Sequence, residues 1–227
     1  MHIYDEIGYW GVTAQDFIKD LKDAKPDLTV HINSPGGDVF DGIAILNALR
    51  AHKGNVTTIC DGLAASAASF IMQAGQKRVM AKNSEAMIHD AAGLCLGNAS
   101  DMREMLDLLD RASDNIASIY AERSGIADVD HWRKLMSAET WFSAREAVGA
   151  GLADEVDGDE ATVPEANWDL SVFAHAGRQH APSPVVVPMP ILTEVEQAEL
   201  AAVLPTTDDT PSQWDFGQFM RGLTHGS

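Results

Sequence analysis

The chain has 227 residues, 45% of them hydrophobic, with 34 acidic against 16 basic residues and a formal net charge of -18. That length allows one domain with a tail, or two small domains. The acidic balance argues against nucleic-acid binding and against attachment to an anionic membrane surface.

The opening residues, "MHIYDEIGYW", hold no basic or apolar leader pattern, so no signal peptide is expected. No apolar run approaches the ~18 residues of a membrane span. "VTAQDFIKDLKD" predicts a helix with Thr13 as N-cap. "LTVHIN" reads as a strand, stopped by the turn "SPGGD". "VFDGIAILNALRAH" has apolar residues at helical spacing, closed by Gly54. "NVTTIC" is a second strand that runs into "DGLAASAAS". "SAASFIMQAG" then reads as a helix stopped by Gly75. "RVMAK" and "EAMIH" read as short strands, and "SDMREMLDLLDRASDNIASIYAERSG" as a long helix. "SAREAVGAG" is a short helix with Ser143 and Glu146 as a capping box. Strands separated by helices imply βαβ units, an α/β fold and a mainly parallel sheet.

Composition shifts near residue 157. Seven of the nine prolines lie beyond it, with eleven acidic residues and only Arg178 and Arg221 as basic ones. Residues 1–156 are therefore read as the domain. Residues 157–227 are read as an acidic, Pro-rich, largely disordered tail. Two amphipathic pieces, near 193–204 and 214–223, read as docking motifs within it. The cysteines, Cys60 and Cys95, have no metal-ligand spacing and read as reduced thiols of a cytosolic protein.

Ser66 sits where a buried strand gives way to a helix. The carboxyl ends of the strands are where open α/β sheets place their sites. A helix start adds unpaired N–H groups and a positive dipole end, which favour a developing oxyanion. A serine at such a junction is more often an N-cap. A nucleophile would need a base, and His89, at the end of "EAMIH", can reach the same rim of the sheet. His31 and His52 read as structural or solvated, and His131 lies on a short polar helix. Gly36 and Gly37 leave the loop after the first long strand with an uncovered backbone, as a simple turn also would.

Four stretches, "INSPGGDVFDGIAI", "TTICDGLAASAASFIMQAG", "NSEAMIHDAAG" and "WFSAREAVGAGLADEV", stand in the order and spacing of the ClpP-type serine peptidases. The chain resembles that family from about residue 3 to 156. "IYDEIGYWGVTAQDF" and "ETWFSA" look most like the ClpP-like proteases of bacteriophage and prophage head-assembly clusters. The resemblance implies the ClpP/crotonase-like fold of βαβ repeats, with a handle of a strand plus a long helix around "LCLGNASDMREML". It implies Ser66 as nucleophile, His89 as base, and the N–H groups of Gly37 and Ala67 as the oxyanion hole. Ser69 matches no catalytic position. Where the family's digestive members carry the third, aspartate residue, this chain has Glu139; Asp90 and Asp101 stay open as alternatives.

The implied activity is that of a serine endopeptidase needing neither a metal nor an organic cofactor. The implied partners are a polypeptide substrate, as capsid or scaffold protein, and further copies of the chain in a ring, a heptamer stacked in pairs. Nothing ahead of "MHIYDEIG" resembles the axial loops that engage an ATP-driven unfoldase. The expectation is ATP-independent processing during phage head maturation, in the host cytoplasm or an assembling procapsid. The competing readings are a catalytically weak or inactive assembly or scaffold component, and a crotonase-type acyl-CoA enzyme. A serine and a histidine at both family positions count against the latter.

Overall fold

The computed structural model describes residues 1–158 and 168–184. The two amphipathic pieces expected near 193–204 and 214–223 lie outside the described residues, as does most of the segment expected to be disordered. The strands are β1 His2–Ile3, β2 Leu28–Ser34, β3 Val56–Ala65, β4 Lys77–Ala81, β5 Glu85–Ile88, β6 Thr140–Ser143 and β7 Glu155–Asp157. The helices are α1 Ala14–Leu21, α2 Val39–Arg50, α3 Ala67–Ile71, α4 Ala99–Ser124, α5 Val129–Ser137 and α6 Ala144–Gly149.

The strands form one mixed α/β sheet in the order β1-β2-β3-β4-β7, all parallel. Opposite β2, β3 is long enough to serve two further neighbours. Its first half pairs with β4 through Thr57–Cys60, and its second half pairs with β5 through Leu63–Ala65. β6 then adds to β5 in the antiparallel sense. The sequence reading ends the second strand at Cys60. The small residues that follow stay extended because β5 supplies a partner and Asn33 Oδ1 accepts the N–H of Leu63 at 3.1 Å. β1, β6 and β7 are two to four residues long, too short to show a period in the sequence.

Capping follows local chemistry. Thr13 accepts the N–H of Asp16, and Asp38 accepts those of Phe40 and Asp41. Ser143 and Glu146 form the expected capping box. α2 ends at Ala51, three residues before Gly54, whereas α4 does end on a left-handed glycine, Gly125 at φ 80. The helix expected to stop at Gly75 is α3 followed by a 3-10 turn, Met72–Ala74, and Gly75 itself is extended.

The core lies between the sheet and α2, α3, α4 and α5, with Phe70, Tyr120, Trp132 and Phe142 fully buried; Trp141, equally buried, belongs to a second apolar group with Leu63, Ala65 and Met87. Cys60 is inside it, and burial pushes its thiol up to about 12. Arg78, on β4, is also buried; it pairs with Asp154 and donates to Gln73 Oε1 and to the carbonyls of Arg123 and Gly151. Residues 91–97 run from β5 to α4 without a ladder partner in the single chain. No helix among the described residues is long and apolar enough to cross a membrane.

Candidate active site

The register of β3 against β5 creates the site. Ala65 pairs with Met87 in a parallel ladder, so both strands deliver their carboxyl ends to one place. Ser66 follows Ala65 directly, and its N–H donates to Met87 O at 2.9 Å. His89 follows Ile88. Its Nε2 lies 2.8 Å from Ser66 Oγ.

Ser66 occupies the N-cap position of α3, yet its side chain makes no capping bond. Its backbone has φ 50 and ψ -121, a conformation few non-glycine residues adopt. Ser69, one helical turn on, is buried; its Oγ donates to Ser66 O at 2.6 Å and lies 2.7 Å from Tyr120 Oη.

The Gly36–Gly37 loop presses on this junction. A Cβ at Gly36 would stand 2.6 Å from Ser66 Cβ, and one at Gly37 would stand 2.0 Å from Ile7 O. Both residues have positive φ, so glycine is required twice over. Ile7 bridges to the loop by donating its N–H to Gly36 O and accepting that of Asp38, which leaves the Gly37 N–H out of the bridge. Ala67 is the first residue of α3, where an N–H has no intrahelical partner.

Burial lowers the pKa of His89 from its usual value, against the opposing pull of Glu139 and Asp90. The shift favours the neutral imidazole, the form that can accept a proton. Glu139 lies close enough to act on it, but among the described residues no hydrogen bond joins the two. Its Oε1 accepts from Trp141 Nε1 at 3.1 Å and from His175 N at 2.7 Å, and its Oε2 from Ala174 N at 2.6 Å. Burial pushes the Glu139 carboxyl up. The bonds from Ala174, Trp141 and His175, with the nearby imidazole, more than offset that and hold it below the usual glutamate value.

Asp90 is taken up by Arg133, at 2.6 Å. Asp101 belongs to the capping box of α4, where it accepts the N–H of Asn98. His31 sits on β2, paired with the buried Asp61 that also accepts from Tyr4 Oη. Among the described residues, no three His, Cys, Asp or Glu side chains converge as a metal-ion cage would require.

Ser66 and His89 open onto a cavity of about 490 Å³. Gly36, Gly37, Phe70 and Tyr120 line it from the domain, and Asp5 and Glu6 reach it from the amino-terminal loop. Its last wall is made by Trp168, Val172 and Phe173. The sequence reading missed these three. Their one signal was the apolar spacing of "WDLSVF" inside an otherwise acidic stretch.

A serine–imidazole pair on the rim of a parallel sheet, with two bare glycines against it, has a counterpart among known proteins. The Clp protease family model matches residues 5–160. The chain belongs to the Clp protease family. It is also 35% identical, over 147 residues, to the ATP-dependent Clp protease proteolytic subunit 1 of Synechococcus sp. (strain CC9902); the match covers 64% of this chain and 74% of that protein. As a member of the Clp protease family the chain is a serine-type peptidase, in a family whose members form oligomeric rings and act on polypeptides. The family match ends at residue 160, before the segment that supplies the last wall of the cavity.

Proposed function

We propose that this chain is a serine endopeptidase with Ser66 as nucleophile and His89 as general base, acting without ATP on capsid or scaffold protein during phage head maturation. The observation that carries the catalytic part is the 2.8 Å contact of His89 Nε2 with Ser66 Oγ at a strained strand-to-helix junction. Ser66 Oγ attacks the substrate carbonyl carbon while its proton passes to His89 Nε2. The N–H groups of Gly37 and Ala67 hold the oxyanion. Collapse breaks the C–N bond, and the amine leaves with the proton from His89. Water, deprotonated by His89, then attacks the acyl carbon, and the bond to Ser66 Oγ breaks as His89 returns the proton to that oxygen. Glu139 is the acid of this set, since Asp90 is taken up by Arg133 and Asp101 by the capping box of α4.

One feature supports the finer reading. The segments "IYDEIGYWGVTAQDF" and "ETWFSA" resemble the phage and prophage members of the family. The acidic tail, residues 157–227, would tether the peptidase to the capsid or scaffold protein or be cleaved by Ser66 during maturation. The test is a fluorophosphonate probe with intact-mass readout, followed by cleavage of the cognate capsid or scaffold protein without nucleotide. One adduct per chain, lost in Ser66→Ala, and nucleotide-free cleavage are expected. Cleavage seen only with ATP and an unfoldase would instead place the chain beside its cyanobacterial relative, whose name includes ATP dependence.

A further inference from the structure

The segment 168–184 is fastened to the domain at three kinds of contact. Trp168, Leu170, Phe173 and Ala181 pack on the apolar group of Leu63, Ala65, Met87 and Trp141. Arg178 places its guanidinium on Glu146, with both bonds at 2.6 Å, and its own N–H on Glu85 at 2.9 Å. That fork holds the Glu146 carboxyl down at about 2. Between these anchors the backbone N–H groups of Ala174 and His175 point at the two oxygens of Glu139. Phe173 stands edge-on to the rings of both His89 and Trp141, with centroids 5.5 and 5.9 Å away.

We propose that this strap is a positioning element for the catalytic acid: the Ala174 and His175 N–H groups hold the Glu139 carboxylate away from His89, and release of the strap lets it turn to the imidazole. The idea rests on the peptidase reading of Ser66 and His89. Two short bonds from backbone donors to a carboxylate are charge-assisted and directional. A single imidazole N–H must compete with both, and with Trp141 Nε1 as well. Glutamate, with one more rotatable bond than aspartate, can exchange these partners without moving its backbone. That gives the substitution of glutamate for the family's aspartate a consequence: the acid has a held state and an engaged state. The Ser66–His89 pair is already formed, so the strap acts on the third member alone.

The experiment uses the full chain with Arg178→Ala, which removes the fork, and separately Ala174→Pro, which removes one of the two donors. Each is made with Glu139 and again with Glu139→Gln. Turnover of a small ester is measured across pH, along with fluorophosphonate labelling of Ser66. Both strap variants are expected to raise kcat about tenfold or more, part of the ~10⁴-fold that an orienting carboxylate is worth in triads. The acid limb of kcat/KM should move to higher pH, because a carboxylate bonded to His89 favours the imidazolium. The groups facing that imidazole are Ser66, Phe173, Glu139 and Asp90; Phe173 moves with the strap and Glu139 changes partner, and the Glu139→Gln background separates the two, since only the Glu139 contribution is lost there. Both effects should vanish in the Glu139→Gln background, which loosened packing would not explain. Unchanged or lowered kcat in both strap variants, with Ser66 still labelled, overturns the proposal and leaves the peptidase reading intact. Failure of Ser66 to label in any of these proteins overturns both.

Discussion

Among the described residues, three non-glycine positions have positive φ: Ser66, Asn83 and Glu139. Two of them are the proposed nucleophile and the proposed acid. Such backbone costs of order 1–3 kcal/mol and persists where surrounding structure imposes it. At Ser66 the imposition comes from its N–H bond to Met87 O and from the Gly36 backbone against its Cβ. Ser66→Ala should abolish labelling and turnover and leave the strain in place. Ser66→Gly should abolish both as well, yet raise the melting temperature, because glycine adopts this conformation at little cost. Ser69→Ala should keep its labelling while losing roughly 1–3 kcal/mol in denaturant unfolding, since it strands the buried Tyr120 hydroxyl. Equal labelling of the Ser66→Ala and Ser69→Ala proteins would move the nucleophile elsewhere. The pH dependence follows from His89. Its pKa in the folded protein lies below the 6.5 of a free histidine. The acid limb of kcat/KM should therefore have its midpoint below 6.5 in the wild-type chain. The same shift has a stability sign: between the folded and the unfolded pKa the unfolded chain binds more protons, so stability falls as pH drops through that window. A limb above 6.5 would show that a carboxylate is already bonded to the imidazole.

At the scale of elements, the site depends on loops and strand ends held from behind. The Gly36–Gly37 loop is bolted to the amino-terminal segment by Ile7. Gly37→Ala would drive a methyl into Ile7 O and move the loop, and with it the proposed oxyanion donor. Loss of one such donor costs ~10²–10³-fold in kcat, so a kcat within threefold of wild type in a folded Gly37→Ala protein would remove Gly37 from the mechanism. On the far side, Arg78 joins β4 to the turn after α6 through Asp154 and Gly151. Its side chain is 6% exposed and that of Asp154 39%. Breaking a buried pair by removing one partner costs ~3–5 kcal/mol, and the exposure of Asp154 places this pair toward the lower end. Asp154→Ala should thus unfold at markedly lower denaturant, as followed by circular dichroism, without a change in the pH limb set by His89.

The whole molecule presents apolar side chains that a lone chain would leave wet. Leu94 and Leu96 are 94% and 99% exposed, and Leu106, on α4, is 60% exposed. They lie in and beside the 91–97 stretch that has no ladder partner. Closed symmetry buries the same patch on every copy, and rings are the habit of the family. The chain should therefore sediment as a multiple of its own mass at micromolar concentration, and Leu94→Asp combined with Leu96→Asp should lower that multiple. A monodisperse monomer before mutation would contradict this. The net charge of -18 is then carried once per copy, so a ring would repel acidic surfaces and favour encounter with basic ones.

Much of this was legible in the residues themselves, because local chemistry decides it. The 3.6-residue spacing in Val39–Arg50 and Ala99–Ser124, the caps at Thr13 and Ser143, and the Pro-Gly-Gly turn depend on neighbours a few positions away. The alternation of strands and helices then implies a parallel sheet and puts Ser66 and His89 at strand ends. Nothing local could say that β3 runs on to Ala65, since its small residues are extended only because β5 and Asn33 pair with them. β6 and β7 are held by their partners in the same way. The 2.8 Å contact of Ser66 with His89 is a matter of register, Ala65 against Met87, and register is a property of two strands at once. The same holds for the acid. The resemblance proposes Glu139 for the family's third position, but its carboxylate is claimed by backbone N–H groups 35 and 36 residues away, and backbone donors carry no signature in the side chains that a sequence records.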